Sequence, residues 1–133
     1  MWNEIHNETE LKRFLDRMQQ FHDSCLKELR YTSGAYVDER LSMHPLNDIR
    51  TLTVVIQRQF RDPTTIEMEF RGLRFLRLCP VDEAYTCEIL DASMFLHEGC
   101  IYWCDCGGVS EADVGQYDGT VICADSLRWR PLD

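Results

Sequence analysis

A chain of 133 residues accommodates one folded core rather than two, and a composition of 44% hydrophobic and 28% charged residues excludes disorder throughout. A net charge of −9 argues against nucleic acid as a direct partner, because phosphate binding needs a basic footprint. Met1-Trp2-Asn3-Glu4 has neither a basic nor an apolar leader region and no run approaches 18 apolar residues, so a cytoplasmic chain with no membrane partner is expected.

The first periodic segment predicts a helix over about residues 8–20. Leu11, Phe14, Leu15 and Met18 recur at i, i+3, i+4 and i+7 with charged residues between them. Asn7 and Glu10 have the spacing of a capping box, in which each side chain satisfies a backbone N–H at the helix start. After Phe21-His22-Asp23 the period changes, and Cys25, Leu29 and Tyr31 predict a strand that Ser33-Gly34 breaks. Residues 38–50, with His44-Pro45 and Asn47-Asp48, are expected to be a connection.

Thr51 to Phe60 predicts a strand with Leu52, Val54, Ile56 and Phe60 on one face and Thr51, Thr53, Gln57 and Gln59 on the other. Asp62-Pro63-Thr64 supplies a turn. Ile66, Met68 and Phe70 then alternate with Glu67, Glu69 and Arg71, the pattern of an antiparallel strand with one wet face. Beyond Gly72 the apolar positions become Leu73 and Phe75, which predicts a bulge or bend at the glycine.

Cys79 to Asp82 is expected to turn. Tyr85, Cys87 and Ile89, followed by Met94-Phe95-Leu96, predict a strand interrupted near Asp91, and Glu98-Gly99 can close a tight hairpin into Cys100–Cys106. Gly107 to Gly119 has no periodicity and is expected to be a loop. Val121, Cys123, Leu127 and Trp129 are expected on one face of a last strand ending at Pro131. The predicted architecture is α+β, an N-terminal helix packed on a mainly antiparallel β-meander in one domain spanning 1–133.

Seven cysteines cannot all pair within one chain and are expected mostly as free thiols. His22-Asp23 is the residue pair of metal-dependent phosphohydrolases, but such sites need further His and Asp ligands on neighbouring helices, and strands are predicted downstream. The pair is therefore expected to terminate the helix in a turn. Cys100, Cys104 and Cys106 fall on one face of a strand with Tyr102, and His97 can add a fourth donor. A small metal-binding or metal-dependent domain using this set is the alternative functional reading, set against thiols packing as small hydrophobes. A thiol nucleophile is disfavoured among so many acids, which raise thiol pKa values. No phosphate loop, nucleophile elbow, dinucleotide fingerprint or calcium loop occurs, so no catalytic residue and no cofactor is assigned.

The charge is unevenly spread. Residues 1–78 hold 12 Lys and Arg against 12 Asp and Glu, whereas Cys79 to Leu127 has no Lys or Arg and ten acids. A solvated surface is the ordinary meaning of such an excess. The functional reading is a negative docking face for a basic protein, with Asp91, Glu98, Asp105, Glu111, Asp113, Tyr117 and Asp118 as its candidate residues. Tyr102 and Trp103 are further aromatic candidates if exposed, although Ile101 and Trp103 alternate away from the cysteine face.

The order of a capped N-terminal helix, the Phe21-His22-Asp23-Ser24 junction, a first strand, Ile66-Glu67-Met68-Glu69-Phe70 and Leu127-Arg128-Trp129-Arg130 resembles small bacterial domains, some of them grouped with polymorphic-toxin immunity proteins. That resemblance implies a cytoplasmic, non-enzymatic protein that binds a toxin domain and blocks its active site. An acidic face would then cover a basic substrate cleft. The Cys100–Cys106 strand and the Gly107–Gly119 loop lie outside the resemblance.

Overall fold

The computed structural model describes all 133 residues. Strand β1 (Asn3–Ile5) precedes helix α1 (Glu8–Arg17) and a 3-10 turn (Gln19–Phe21). There follow β2 (Ser24–Thr32), the short β3 (Tyr36–Val37) and β4 (Met43–His44), then β5 (Thr51–Arg58), β6 (Thr65–Arg77), β7 (Ser93–His97), β8 (Cys100–Cys104) and β9 (Val121–Pro131). No helix is long and apolar enough to cross a membrane.

The main sheet runs β2-β5-β6-β9-β8-β7, with β1 also on β9, and every pairing is antiparallel. The α+β expectation holds, in a sheet-dominated form. The meander does not hold throughout, because β9 inserts beside β6 and reverses the order of the last three strands. The physical reason is that β6 and β9 are both long, and their pairing from Ile66↔Pro131 to Arg77↔Val121 exceeds what the five-residue β7 can offer β6. Strand β1 has too short a pattern to be predicted from alternation.

The long pair carries two arms of sheet. Its Ile66–Arg71 half is flanked by β5 and β2 on one side and β1 on the other, and its Leu73–Arg77 half by β8 and β7. Between them Gly72 has φ +66°. A Cβ there would lie 2.3 Å from Asp125 Oδ2, so the position needs glycine on both counts. The register slips between Leu73 and Phe75, as the change of parity predicts. The partner strand switches faces at the same level: Leu127 and Trp129 join Ile122 and Ala124 in the core, while Val121 and Cys123 face away. The single face expected for Val121, Cys123, Leu127 and Trp129 is therefore corrected, because the bend belongs to both strands.

Helix α1 packs on the core face of the sheet. Leu11, Phe14 and Met18 are buried, and Phe14 packs 5.1 Å from the ring of Trp129. Asn7 caps the helix by accepting the Glu10 N–H at 2.9 Å. Glu10 reaches back to the N–H of His6, one residue before the cap, rather than to Asn7. Arg58, on the inward face of β5, is buried and donates to the Pro63 carbonyl and to Gln19, which ties two loops beneath the core. On the opposite face, Glu67–Arg130 and Glu69–Arg128 form cross-strand pairs, and Trp2 lies 4.1 and 4.3 Å from the two guanidinium groups.

Candidate functional site

Arg77, Val121, Cys104 and Ser93 form one row across β6, β9, β8 and β7, and this row ends the upper arm of the sheet. Two long connections leave or enter there, residues 78–92 and 105–120. Asp82, Glu83, Glu88, Asp91, Asp105, Glu111, Asp113 and Asp118 all lie on them. The tertiary fold thus gathers most of the acids separated along the chain into one acidic pole. Glu98 is not part of it. Glu98-Gly99 forms the tight turn at the far end of the β7–β8 hairpin, where both residues have positive φ.

Hydrogen bonds internal to the pole fix its shape. Asp105 accepts from the Tyr117 hydroxyl and from the Thr120 N–H, and the Thr120 hydroxyl accepts the Cys79 N–H at 3.0 Å, joining the two connections. Ser93 donates to the Cys106 carbonyl at 2.6 Å and accepts from Val109. Asp113 holds the Ser110 hydroxyl at 2.9 Å. Burial, and then the bond to Asp105, push the Tyr117 hydroxyl pKa far up. Arg77 is the one cation at the root of the pole, and its donors are taken by the carbonyls of Gly119 and Tyr117.

Within the pole is an apolar cavity of about 210 Å³ lined by Leu26, Leu78, Pro80, Val81, Ile89 and Trp103, with Asp105 and Thr120 on its wall. Trp103 is fully buried, and its indole N–H has no acceptor in the protein. Of its lining, Leu78 and Val81 are exposed, as are Tyr85 and Leu90 on the same 78–92 connection. Beside it Glu88, Asp91 and Asp105 line an open groove with Leu90 and Gly107. Of the candidate residues, Asp91 and Asp105 therefore share one groove, while Glu111, Asp113 and Asp118 are exposed on the 105–120 connection.

The aromatic candidates are placed differently from the acids. Trp103 belongs to the core, and Tyr102 lies half-buried on the outer face between Phe95, stacked at 4.8 Å, and Phe75. Its hydroxyl bonds to Cys123, which pushes its pKa up to about 12. Tyr117 is half-buried with its hydroxyl engaged. The strand expected over Tyr85, Cys87 and Ile89 does not form: between Arg77 and Ser93 there is only an isolated bridge from Ile89 to Ser24, which leaves Tyr85 and Leu90 exposed on a connection.

The alternative metal set does not converge. Cys100 faces His97 across the β7–β8 hairpin at the Glu98 end, whereas Cys104 is buried at the other end and Cys106 is exposed beyond the strand. No group of three His, Cys, Asp or Glu side chains comes together as a metal site. Burial pushes the Cys104 thiol up to about 11, and the neighbouring Asp105 is the lesser cause. His22 and Asp23 form the expected turn: His22 Nδ1 donates to the Leu90 carbonyl at 2.6 Å, and Nε2 lies 3.3 Å from Asp23. Comparison with protein-family models, curated proteins and solved structures finds no match to this chain.

Proposed function

We propose that this chain is a non-enzymatic protein-binding domain of the immunity type, whose acidic pole docks on a basic protein surface. One observation carries the reading. Two connections rich in acids leave the same end of the sheet and surround an apolar cavity, with exposed Leu78, Val81, Tyr85 and Leu90 among the carboxylates. Apolar anchors inside a charged rim are the anatomy of a specific interface, in which the rim steers and the anchors hold. Of the ten acids from Asp82 to Asp125, only Asp125 has an arginine within 4 Å, so no arginine or lysine neutralises the carboxylates of the pole.

A basic nuclease-type cleft is the surface such a pole complements, since carboxylates replace the phosphates that the cleft attracts. The test is binding to the purified product of the neighbouring gene at about 50 and 500 mM salt. A stoichiometric complex that weakens at least about tenfold at high salt is expected, and replacing Asp91, Asp113 and Asp118 by Asn should weaken it further at low salt. Absence of binding, or binding indifferent to salt and to these substitutions, would overturn the reading.

A further inference from the structure

We infer that the cavity within the acidic pole is a binding site for a free, neutral one-ring molecule that carries a hydroxyl group, such as a simple phenol. Such a ligand occupies the interior of the pole and is independent of a protein docking on its rim. The cavity has the form of a pocket: Ile89 and Trp103 are buried in its wall, and Leu78 and Val81 stand exposed at its mouth. Its volume of about 210 Å³ accommodates one substituted ring, since apolar cavities of about 150 Å³ hold benzene.

The fold leaves one donor and one acceptor in this wall without a partner. Trp103 and Asp105 lie two residues apart at the end of β8, so their side chains leave the same face of the sheet, and both line the cavity. Trp103 has no exposed surface, and its indole N–H has no acceptor in the protein. A buried donor left unpaired is costly, and native proteins keep few of them. Asp105 is held in place by the Tyr117 hydroxyl and the Thr120 N–H. Both donate to the same carboxylate oxygen, Oδ1, which leaves Oδ2 without a donor. Thr120 is itself buried and accepts the Cys79 N–H at 3.0 Å, so the wall is fixed from both connections before any ligand arrives.

These leftovers select the chemistry of the occupant. A hydroxyl is the smallest group that both accepts and donates, so it can take the indole N–H and give its own proton to Asp105 Oδ2. The second of these bonds is charge-assisted and therefore the stronger. Other groups fail on one side. An ammonium only donates and leaves the indole unpaired, whereas an ether only accepts and leaves Oδ2 unpaired. A carboxylate also only accepts, and it meets the repulsion of Asp105 and of Glu88 and Asp91 beside it in the adjoining groove. The rest of the wall, Leu26, Leu78, Val81 and Ile89, is apolar and favours a ring over water alone.

The test is titration of the full chain, with no protein partner present, by phenol, anisole, benzylammonium and benzoate, followed by NMR on the Trp103 indole N–H. Phenol is expected to bind with a Kd of about 1 mM or tighter and to move that resonance. Anisole, which lacks the donor, and benzylammonium, which lacks the acceptor, should bind at least about tenfold more weakly, and benzoate should not bind. Asp105→Asn, which puts a donor in place of one carboxylate oxygen, should bring phenol down to the level of anisole. Val81→Trp, at an exposed position, is expected to block the mouth while leaving the thermal midpoint unchanged. An unmoved Trp103 resonance, equal affinity for phenol and anisole, or phenol binding that survives Val81→Trp overturns the inference. Salt-dependent capture of a protein by the pole is a separate measurement, and neither result decides the other.

Discussion

His22 joins the end of the helical segment to the long 78–92 connection through its bond to the Leu90 carbonyl. That bond, and next the carboxylates of Asp23 and Asp91, raise its pKa above the ordinary 6.5. A raised folded pKa means that the protonated ring stabilises the fold. The contribution is complete below about 6.5 and is lost as pH rises through the folded value. Urea midpoints of the native chain and of His22→Ala are therefore expected to differ most near pH 5.5 and to converge near pH 8.5. A difference that does not change with pH would show that the ring acts by packing alone. The His22-Asp23 turn was legible from side-chain chemistry, but its partner was not: Leu90 is 68 residues away and offers only a backbone carbonyl, which no sequence pattern marks.

At the scale of elements, helix α1 and strand β5 were legible because each carries a complete period of apolar residues and buries one face. The bend in β6 was legible from the change of parity at Gly72, whereas the matching switch in β9 was not. Asp125 and Ser126 carry no signal of their own, and β9 bends because its hydrogen-bonded neighbour does. Replacing Gly72 by Ala is expected to cost about 1–3 kcal/mol from the left-handed backbone alone. The new Cβ also meets Asp125, which Arg74 holds at 2.6 Å, so the cost should exceed that of a surface Gly→Ala such as Gly115, which has nothing within 4 Å. Chemical denaturation of the two variants makes the comparison, and equal losses would remove the bend's special demand for glycine. Strand β4 falls within residues 38–50, expected to be a connection, and β3 lies just before them; neither was foreseen, because two-residue strands are too short to show alternation.

Across the whole molecule, the linear charge count and the folded charge distribution agree only in part. Arg74 and Arg77 belong to the neutral stretch of sequence, yet β6 carries them to Asp125 and to the root of the acidic pole. The eight acids on the two connections keep their concentration, and their mutual repulsion opposes folding at low ionic strength. Raising salt from about 20 to 500 mM is accordingly expected to raise the thermal midpoint. A fall would mean that the half-buried pairs Glu67–Arg130 and Glu69–Arg128, which salt weakens, matter more than the pole. The sequence by itself determined the sheet-dominated α+β class, the helix, most strands and the acidic bias, since these rest on local periodicity and composition. Tertiary structure alone decided that β9 lies beside β6, that the acidic connections share one end of the sheet, and that Trp103 lines a cavity while Cys104 and Cys106 stay apart from Cys100 and His97. Those relations depend on which distant strands pair and in what register, and pairing is a property of two segments that neither carries alone.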